Sequence, residues 1–194
     1  MKSGAVIAAL LVLLAACTPR FDVPELRERQ APVAMLPPES LGETLSLSQV
    51  VKGELAGAGR SLRFELEVTE RRLVLAGLTH AGIPVFTLVQ SANGTAVEME
   101  GPGAEEFDPV YLLSDIKFCY WPLERLNLAL GPKRLRMEEE TRNGKRLRLL
   151  KDEMGNTLLR ITYPHGEGGE IVLRRFDLPY RLRIRTLGTA GAGA

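Results

Sequence analysis

Alternation of apolar and polar residues along most of the chain constrains its fold more than any other feature. In SLRFELEV, residues 61–68, every second residue is apolar and most of the residues between are charged. The same period of two recurs in TAVEME, KRLRM, KRLRLL, TLLRITY, EIVLRR and YRLRIR. Because successive strand side chains point to opposite faces, the pattern predicts antiparallel strands with one apolar and one solvated face.

Turn motifs lie between these predicted strands. Asn93-Gly94, Asn143-Gly144 and Gly155-Asn156 are pairs that favour the backbone of tight hairpins. The Arg, Lys and Glu residues of the outer faces are expected to pair across strands in solvent rather than form a binding site.

One segment departs from the alternation. Residues 107–130, FDPVYLLSDIKFCYWPLERLNLAL, carry two helix starts, Asp108 before Pro109 and Pro122 after Trp121. Apolar residues recur at helical spacing in both halves, with one lysine among them. They are Val110, Leu113 and Lys117 in the first half, and Leu123, Leu126 and Leu130 in the second. The order predicts a mainly β fold with a helical insertion (α+β), in which helices cross the concave side of a bent sheet.

The first residues, MKSGAVIAALLVLLAACTPR, have the layout of a secretory signal peptide. Their apolar run is too short to span a membrane as a helix. The end, Leu14-Ala15-Ala16-Cys17, resembles the lipobox of bacterial lipoproteins, which implies cleavage before Cys17 and acylation of that residue with chains such as palmitate. The alternative is an ordinary signal peptide that happens to contain a cysteine. In enterobacterial lipoproteins an Asp after the cysteine retains the protein in the inner membrane, so Thr18 implies the periplasmic face of the outer membrane.

The remaining composition restricts the other classes of function. Cys119 is the one cysteine besides Cys17, so no disulfide framework is expected, and its aromatic neighbours indicate a small buried side chain. A formal net charge of +1 argues against a nucleic-acid partner. Five prolines between residues 19 and 38 indicate a tether, and GTAGAGA at the other end is expected to be disordered.

We found no motif for an enzyme. His80 and His165 lie beside glycines in predicted turns, where a solvated histidine is the usual outcome, and His165-Gly166-Glu167 lacks the cysteine pair of zinc deaminases. Ser114 and Asp115 are adjacent on a predicted helix and therefore do not face each other, so Asp115 is expected to hold the helix to the sheet. The sequence predicts no catalytic residue, no metal site and no cofactor other than lipid on Cys17.

The order of segments resembles a known family. The chain resembles bacterial lipoproteins of unassigned function in the order of its segments. These are the lipobox, the proline-rich tether, LPPESLGETLSLSQVVKGEL, a GLTHAGIPVFTL hairpin, LLSDIKFCYWPLERL, NTLLRITYP and YRLRIRTL. That family stands beside the LolA/LolB superfamily of lipoprotein carriers, and some members occur in aryl-polyene biosynthesis clusters. The resemblance implies an unclosed antiparallel β-barrel, LolA/LolB-like, with a helical lid over an apolar cavity.

The predicted domains follow from this resemblance and from the patterns above. They are a signal peptide (1–16), a lipidated Cys17 with a tether (17–40), a half-barrel (41–187) with its lid at about 108–130, and a tail (188–194). The hairpin tip at residues 78–83 either presents an apolar residue to the membrane or is a plain turn whose Leu78 and Ile83 face inward. We expect the plain turn.

The implied ligand is an acyl chain, a lipoprotein's lipid or another apolar molecule, and the implied partners are the outer membrane and a LolA-like carrier or biosynthetic proteins. The candidate cavity lining is Leu62, Phe64, Leu66, Val97, Met99, Leu113, Trp121, Leu126, Leu135, Met137, Leu147, Leu149 and Ile161. The alternative function is a structural envelope lipoprotein whose packed core supports protein interactions. An apolar void favours the carrier, and a filled interior favours the structural protein.

Overall fold

The structure is a computed structural model that describes residues 31–55, 58–99, 101, 108–166, 168–177 and 180–189. The predicted signal peptide, Cys17 and residues 190–194 of the tail lie outside the described residues. No helix within the described ranges is both long and apolar enough to cross a membrane.

In the part of the chain that the structure describes, ten antiparallel strands form one sheet, which confirms the predicted mainly β fold. The strands are β1 (Leu45–Leu55), β2 (Ala58–Val68), β3 (Arg72–Leu78), β4 (Pro84–Ser91), β5 (Gly94–Met99), β6 (Arg136–Arg142), β7 (Lys145–Lys151), β8 (Thr157–Thr162), β9 (Glu170–Arg175) and β10 (Tyr180–Thr189). Their order is β5-β4-β3-β2-β1-β10-β9-β8-β7-β6. Strands β5 and β6 are the two edges, so the sheet is unclosed as predicted.

The predicted turn motifs join neighbouring strands. Asn143 and Gly144 connect β6 to β7 with φ angles of 52° and 73°, the left-handed region that such a two-residue turn requires. Asn93-Gly94 connects β4 to β5, and Gly155-Asn156 lies between β7 and β8.

Two helices fill the predicted insertion between the edge strands, α1 (Pro109–Tyr120) and α2 (Leu123–Leu130). The carboxylate of Asp108 accepts a hydrogen bond from the Val110 amide at 2.8 Å, which confirms the predicted cap. Trp121 and Pro122 separate the helices, because a proline restricts the residue before it to an extended conformation. Short 3₁₀ helices occupy Pro38–Leu41 and Gly131–Lys133.

The sheet curves around α1. Lys117 reaches Gln90 on β4, while the carbonyl of the next residue, Phe118, accepts a bond from Arg148 on β7. In the strand order these strands are seven steps apart, roughly 33 Å in a flat sheet at about 4.8 Å per strand. Adjacent residues of one helix reach both strands, so the concave face must enclose α1.

The core lies between this concave face and the helices. Its fully buried members include Phe86, Phe118, Trp121, Leu126 and Leu150. All the buried apolar residues of the described ranges fall between Val33 and Ile184, so a chain that begins at Thr18 retains the entire described core.

Residues 31–41, which the sequence assigns mostly to the tether, differ from that prediction. Residues 31–34 are helical, and Val33, Ala34 and Leu41 are buried in the core. The prolines in this stretch limit the length of its helices, but three apolar side chains between them are enough to hold it on the sheet. The described part of the predicted tether is therefore part of the folded domain.

Candidate functional site

Most of the predicted lining residues lie together on the concave side. Eight of them are buried in the core cluster: Phe64, Leu66, Leu113, Trp121, Leu126, Leu135, Met137 and Ile161. Leu62 and Val97 are partly buried against the same cluster. Met99, at the end of edge strand β5, is 43% exposed because no further strand covers it.

On β7 the predicted face is wrong. Arg148 points to the concave side, where it contacts the end of α1. Because strand side chains alternate, Leu147 and Leu149 point to the outer face, and neither belongs to the core cluster. The apolar residue that β7 contributes to the core is Leu150, which is fully buried.

The concave side is filled rather than hollow. Aromatic and leucine side chains from α1, α2 and the strands form one continuous buried cluster. Two clefts of about 300 Å³ and 420 Å³ open elsewhere, and no predicted lining residue borders either of them. The first is bordered by Arg146, Tyr163 and glycines, and the second by Glu39, Glu43, Glu70 and Arg71.

The C-terminal end of α1 is held by side chains from the strands. Arg148 donates to the carbonyls of Phe118 and Trp121, each at 2.9 Å, and the Tyr163 hydroxyl donates to the Cys119 carbonyl at 2.7 Å. The last carbonyls of a helix have no hydrogen-bond donor within the helix and carry partial negative charge. A buried guanidinium supplies both the missing donors and a compensating positive charge.

Lys117 fastens the N-terminal segment to α1. Its fully buried ammonium donates to the carbonyls of Ala34 at 2.7 Å and Leu36 at 2.5 Å, and to Gln90 Oε1 at 2.7 Å. Gln90 also donates to the Ala34 carbonyl at 2.8 Å. Burial disfavours the charged form and lowers the pKa of Lys117 to about 7.

Trp121 adds a second attachment of the same segment. Its indole Nε1 donates to the Ser40 hydroxyl at 2.8 Å, and its ring is fully buried beneath the junction of the helices. The segment 31–41 and the helical pair therefore form a single cover over the concave face, which we call the lid.

An ion pair joins the middle of α1 to β9. Asp115 accepts from Arg175 at 2.7 Å, and both side chains are almost completely buried, which confirms that Asp115 holds the helix to the sheet. Burial raises the pKa of Asp115, and the Arg175 guanidinium opposes that rise. At the end of α1, Gln49 on β1 donates to the Tyr120 hydroxyl at 2.7 Å.

The residues considered for catalysis do not come together. His80 and His165 are exposed in separate turns, and Ser114 donates to the Val110 carbonyl of its own helix. Cys119 is buried, as predicted, and burial raises the pKa of its thiol, which disfavours the thiolate.

The prediction for the hairpin tip is wrong at Ile83, which is 60% exposed. Its backbone pairs with Thr79 across the turn, so the side chain leaves the apolar face of the strand. The register also shifts beside Gly77, where an added Cβ would collide with the ring of Phe86. The glycine makes room for the Phe86 ring.

Comparison with known proteins gives a family match and distant structural similarity. The family described as "Protein of unknown function (DUF3261)" matches residues 46–188. The fold is similar to a LolA superfamily protein of Nitrosomonas europaea at 8% identity, covering 84% of this chain and 91% of that chain with a TM-score of 0.40. An outer membrane lipoprotein-sorting protein domain from Vibrio parahaemolyticus shares 9% identity, with 90% and 93% covered and a TM-score of 0.42.

A third solved structure, a DUF1329 family protein from Desulfovibrio piger, shares 10% identity over 88% of this chain and 92% of its own, with a TM-score of 0.38. A search of curated proteins found no match.

Proposed function

The chain belongs to the DUF3261 family, whose description assigns no function, and we propose that it is a lipid-anchored envelope protein that binds an acyl chain. The observation that carries the proposal is the continuous apolar face along the concave side of an unclosed sheet, covered by a separate lid. The lipobox at Leu14–Cys17 supports an anchor, with Thr18 favouring the outer membrane.

Because the interior is packed, binding requires part of the lid to move. The acyl chain would take the place of side chains such as Leu126 and Leu130 of α2 against the sheet. Burial of about ten methylenes contributes about 8 kcal/mol, from which the costs of association and of lid opening are subtracted. The expected affinity is therefore micromolar or weaker.

A second candidate is a structural envelope lipoprotein that binds no apolar ligand. The continuous packing of buried side chains on the concave side favours it, and the two clefts described above lie away from the predicted lining residues. In that case the lid is a permanent part of the core.

Titration of a fluorescent fatty acid into a chain that begins at Thr18 separates the two candidates, together with native mass spectrometry and thermal melting. A carrier shows saturable binding, a bound acyl mass and a higher melting temperature with ligand, because the ligand binds only the folded state. A clean unliganded mass, no saturable signal and an unchanged melting temperature would contradict acyl-chain binding and favour the structural alternative.

A variant with a looser lid sharpens this test. Arg148→Gln removes the guanidinium from the C-terminal carbonyls of α1 and should accelerate fatty-acid uptake by a carrier. Arg142→Gln is the matched control, because Arg142 is exposed on β6 and its ion pair within the described ranges is with the surface residue Glu140. Equal uptake rates in both variants would argue against entry beneath the lid.

The anchor is tested separately in the full chain. Cys17→Ser should release the protein from the membrane fraction or leave it unprocessed, because the acylated side chain is lost. A variant that is still acylated and membrane-bound would contradict the lipobox assignment.

A further inference from the structure

The outer face of strands β8, β9 and β10 carries a row of arginines that continues across three neighbouring strands. Arg160 lies directly opposite Arg174, and Arg174 directly opposite Arg181, so three guanidinium groups stand on neighbouring strands. Directly opposed residues have Cα atoms about 4.5–5.5 Å apart. Like charges at this separation destabilise a sheet, so the row lowers the stability of the fold.

Few carboxylates balance this surface. Arg183 and Arg185 extend it along β10. Glu170 is the one acidic residue of these three strands; it lies opposite Arg185 and 4.0 Å from Arg183. On the adjoining strand β1, Glu54 lies opposite Arg181, and no ion pair joins the two among the described residues. Among the described residues, no carboxylate forms an ion pair with Arg160 or Arg174, and the buried Nε of Arg181 has no hydrogen-bond partner. By contrast, Arg63, Arg72 and Arg142 on other outer faces each pair with a glutamate.

An exposed aromatic ring lies within the row. Phe176 is 42% exposed, and the guanidinium carbons of Arg160 and Arg174 lie 5.4 Å and 5.0 Å from its centroid. Cation–π contacts at these distances hold the two arginines beside the ring. Basic side chains that flank an exposed aromatic are the combination found on surfaces that bind the membrane interface.

We propose that this outer face docks on an anionic phospholipid surface, with Arg160, Arg174 and Arg181 facing the headgroups and Phe176 at the interface. The proposal draws on the anchor in the proposed function, since residues 18–30 extend at most about 45 Å and would hold the domain near the bilayer. Acyl-chain binding plays no part in it.

The test is cosedimentation of the chain that begins at Thr18 with vesicles of phosphatidylcholine, either pure or with one third phosphatidylglycerol. We expect binding only to the anionic vesicles, and weaker binding as salt rises. Arg160→Gln, Arg174→Gln and Arg181→Gln combined should reduce binding about 100-fold, since each arginine near an anionic surface contributes roughly a fivefold factor.

The matched control combines Arg63→Gln, Arg72→Gln and Arg142→Gln, which changes the net charge equally at paired arginines. This control variant should retain nearly full vesicle binding. The variant at Arg160, Arg174 and Arg181 should have a melting temperature no lower than that of the unmodified chain, because like-charge repulsion is relieved. No binding of the unmodified chain, or equal loss in both variants, would overturn the proposal. Binding to poly-glutamate without binding to vesicles would instead indicate an acidic protein partner. Since this chain lacks Cys17, these outcomes are independent of the anchor and of fatty-acid uptake.

Discussion

The buried ammonium of Lys117 should make the stability of this protein depend on pH in a way that one substitution removes. Its pKa is about 7 in the folded state, against about 10.4 for an unfolded lysine. Between these values the unfolded chain binds more protons than the folded chain, so the free energy of unfolding rises with pH. At about 1.4 kcal/mol per pH unit, this one group contributes about 5 kcal/mol between pH 7 and 10.4.

Lys117→Met retains much of the side-chain length and removes the titrating group. At pH 6 the variant loses hydrogen bonds to the Ala34 and Leu36 carbonyls but no longer buries a charge, so its stability is close to that of the unmodified protein. As pH rises the two should diverge, with the unmodified protein becoming the more stable. The assay is urea denaturation of both proteins at pH steps from 6 to 10.

The difference between the two unfolding free energies removes the contributions of other titrating groups. Lys133→Met is the matched control, because it makes the same substitution at an exposed lysine. Parallel curves for the unmodified protein and Lys117→Met would refute the assignment of a buried, depressed lysine.

Substitutions at two further positions on the lid, Trp121 and Asp115, test its packing. Trp121→Ala should lower the free energy of unfolding by about 3–5 kcal/mol, measured by urea denaturation, because a fully buried indole is removed; a loss under 1 kcal/mol would contradict its core position. Asp115→Asn removes the nearer carboxylate of the buried Arg175, while Asp177 remains at 3.6 Å, and should cost about 3 kcal/mol. Asp115→Leu combined with Arg175→Met should cost clearly less. A double variant as unstable as the single one would show that shape, rather than charge, is the constraint.

Local patterns predicted the turns, the helical insertion and seven of the ten strands; the quoted alternation does not cover β1, β3 or β4, and it reaches only the start of β6. Alternation fixes strands wherever one face is charged, and the Asp108-Pro109 cap and Trp121-Pro122 junction mark the helices from a few adjacent residues. The same rules failed on β7, because KRLRLLK offers apolar residues to both faces. Arg148 decides the choice by its bond to the end of α1, which is distant in sequence.

The lid attachments and the arginine row depend on long-range pairing. Lys117 is a charged residue on an apolar helical face, which indicates from the sequence that an ammonium group is buried. Its partners Ala34 and Gln90, however, are set by the tertiary fold. Cross-strand pairing of Arg and Lys with Glu was expected on the outer faces. It occurs between β6 and β7, where Glu138 pairs with Lys151, and between β9 and β10, where Glu170 lies 4.0 Å from Arg183. The register of β8 to β10 nevertheless places Arg160, Arg174 and Arg181 opposite one another.

Quenching of the single tryptophan tests the central claim most directly. Trp121 is buried at the junction of α1 and α2, so an acyl chain between the lid and the sheet comes close to its indole ring. A brominated fatty acid quenches an indole only at short range, and the unbrominated acid of equal length controls for changes in conformation. We predict saturable quenching of the chain that begins at Thr18 by the brominated acid alone. Unchanged fluorescence with saturating brominated acid would contradict acyl-chain binding beneath the lid.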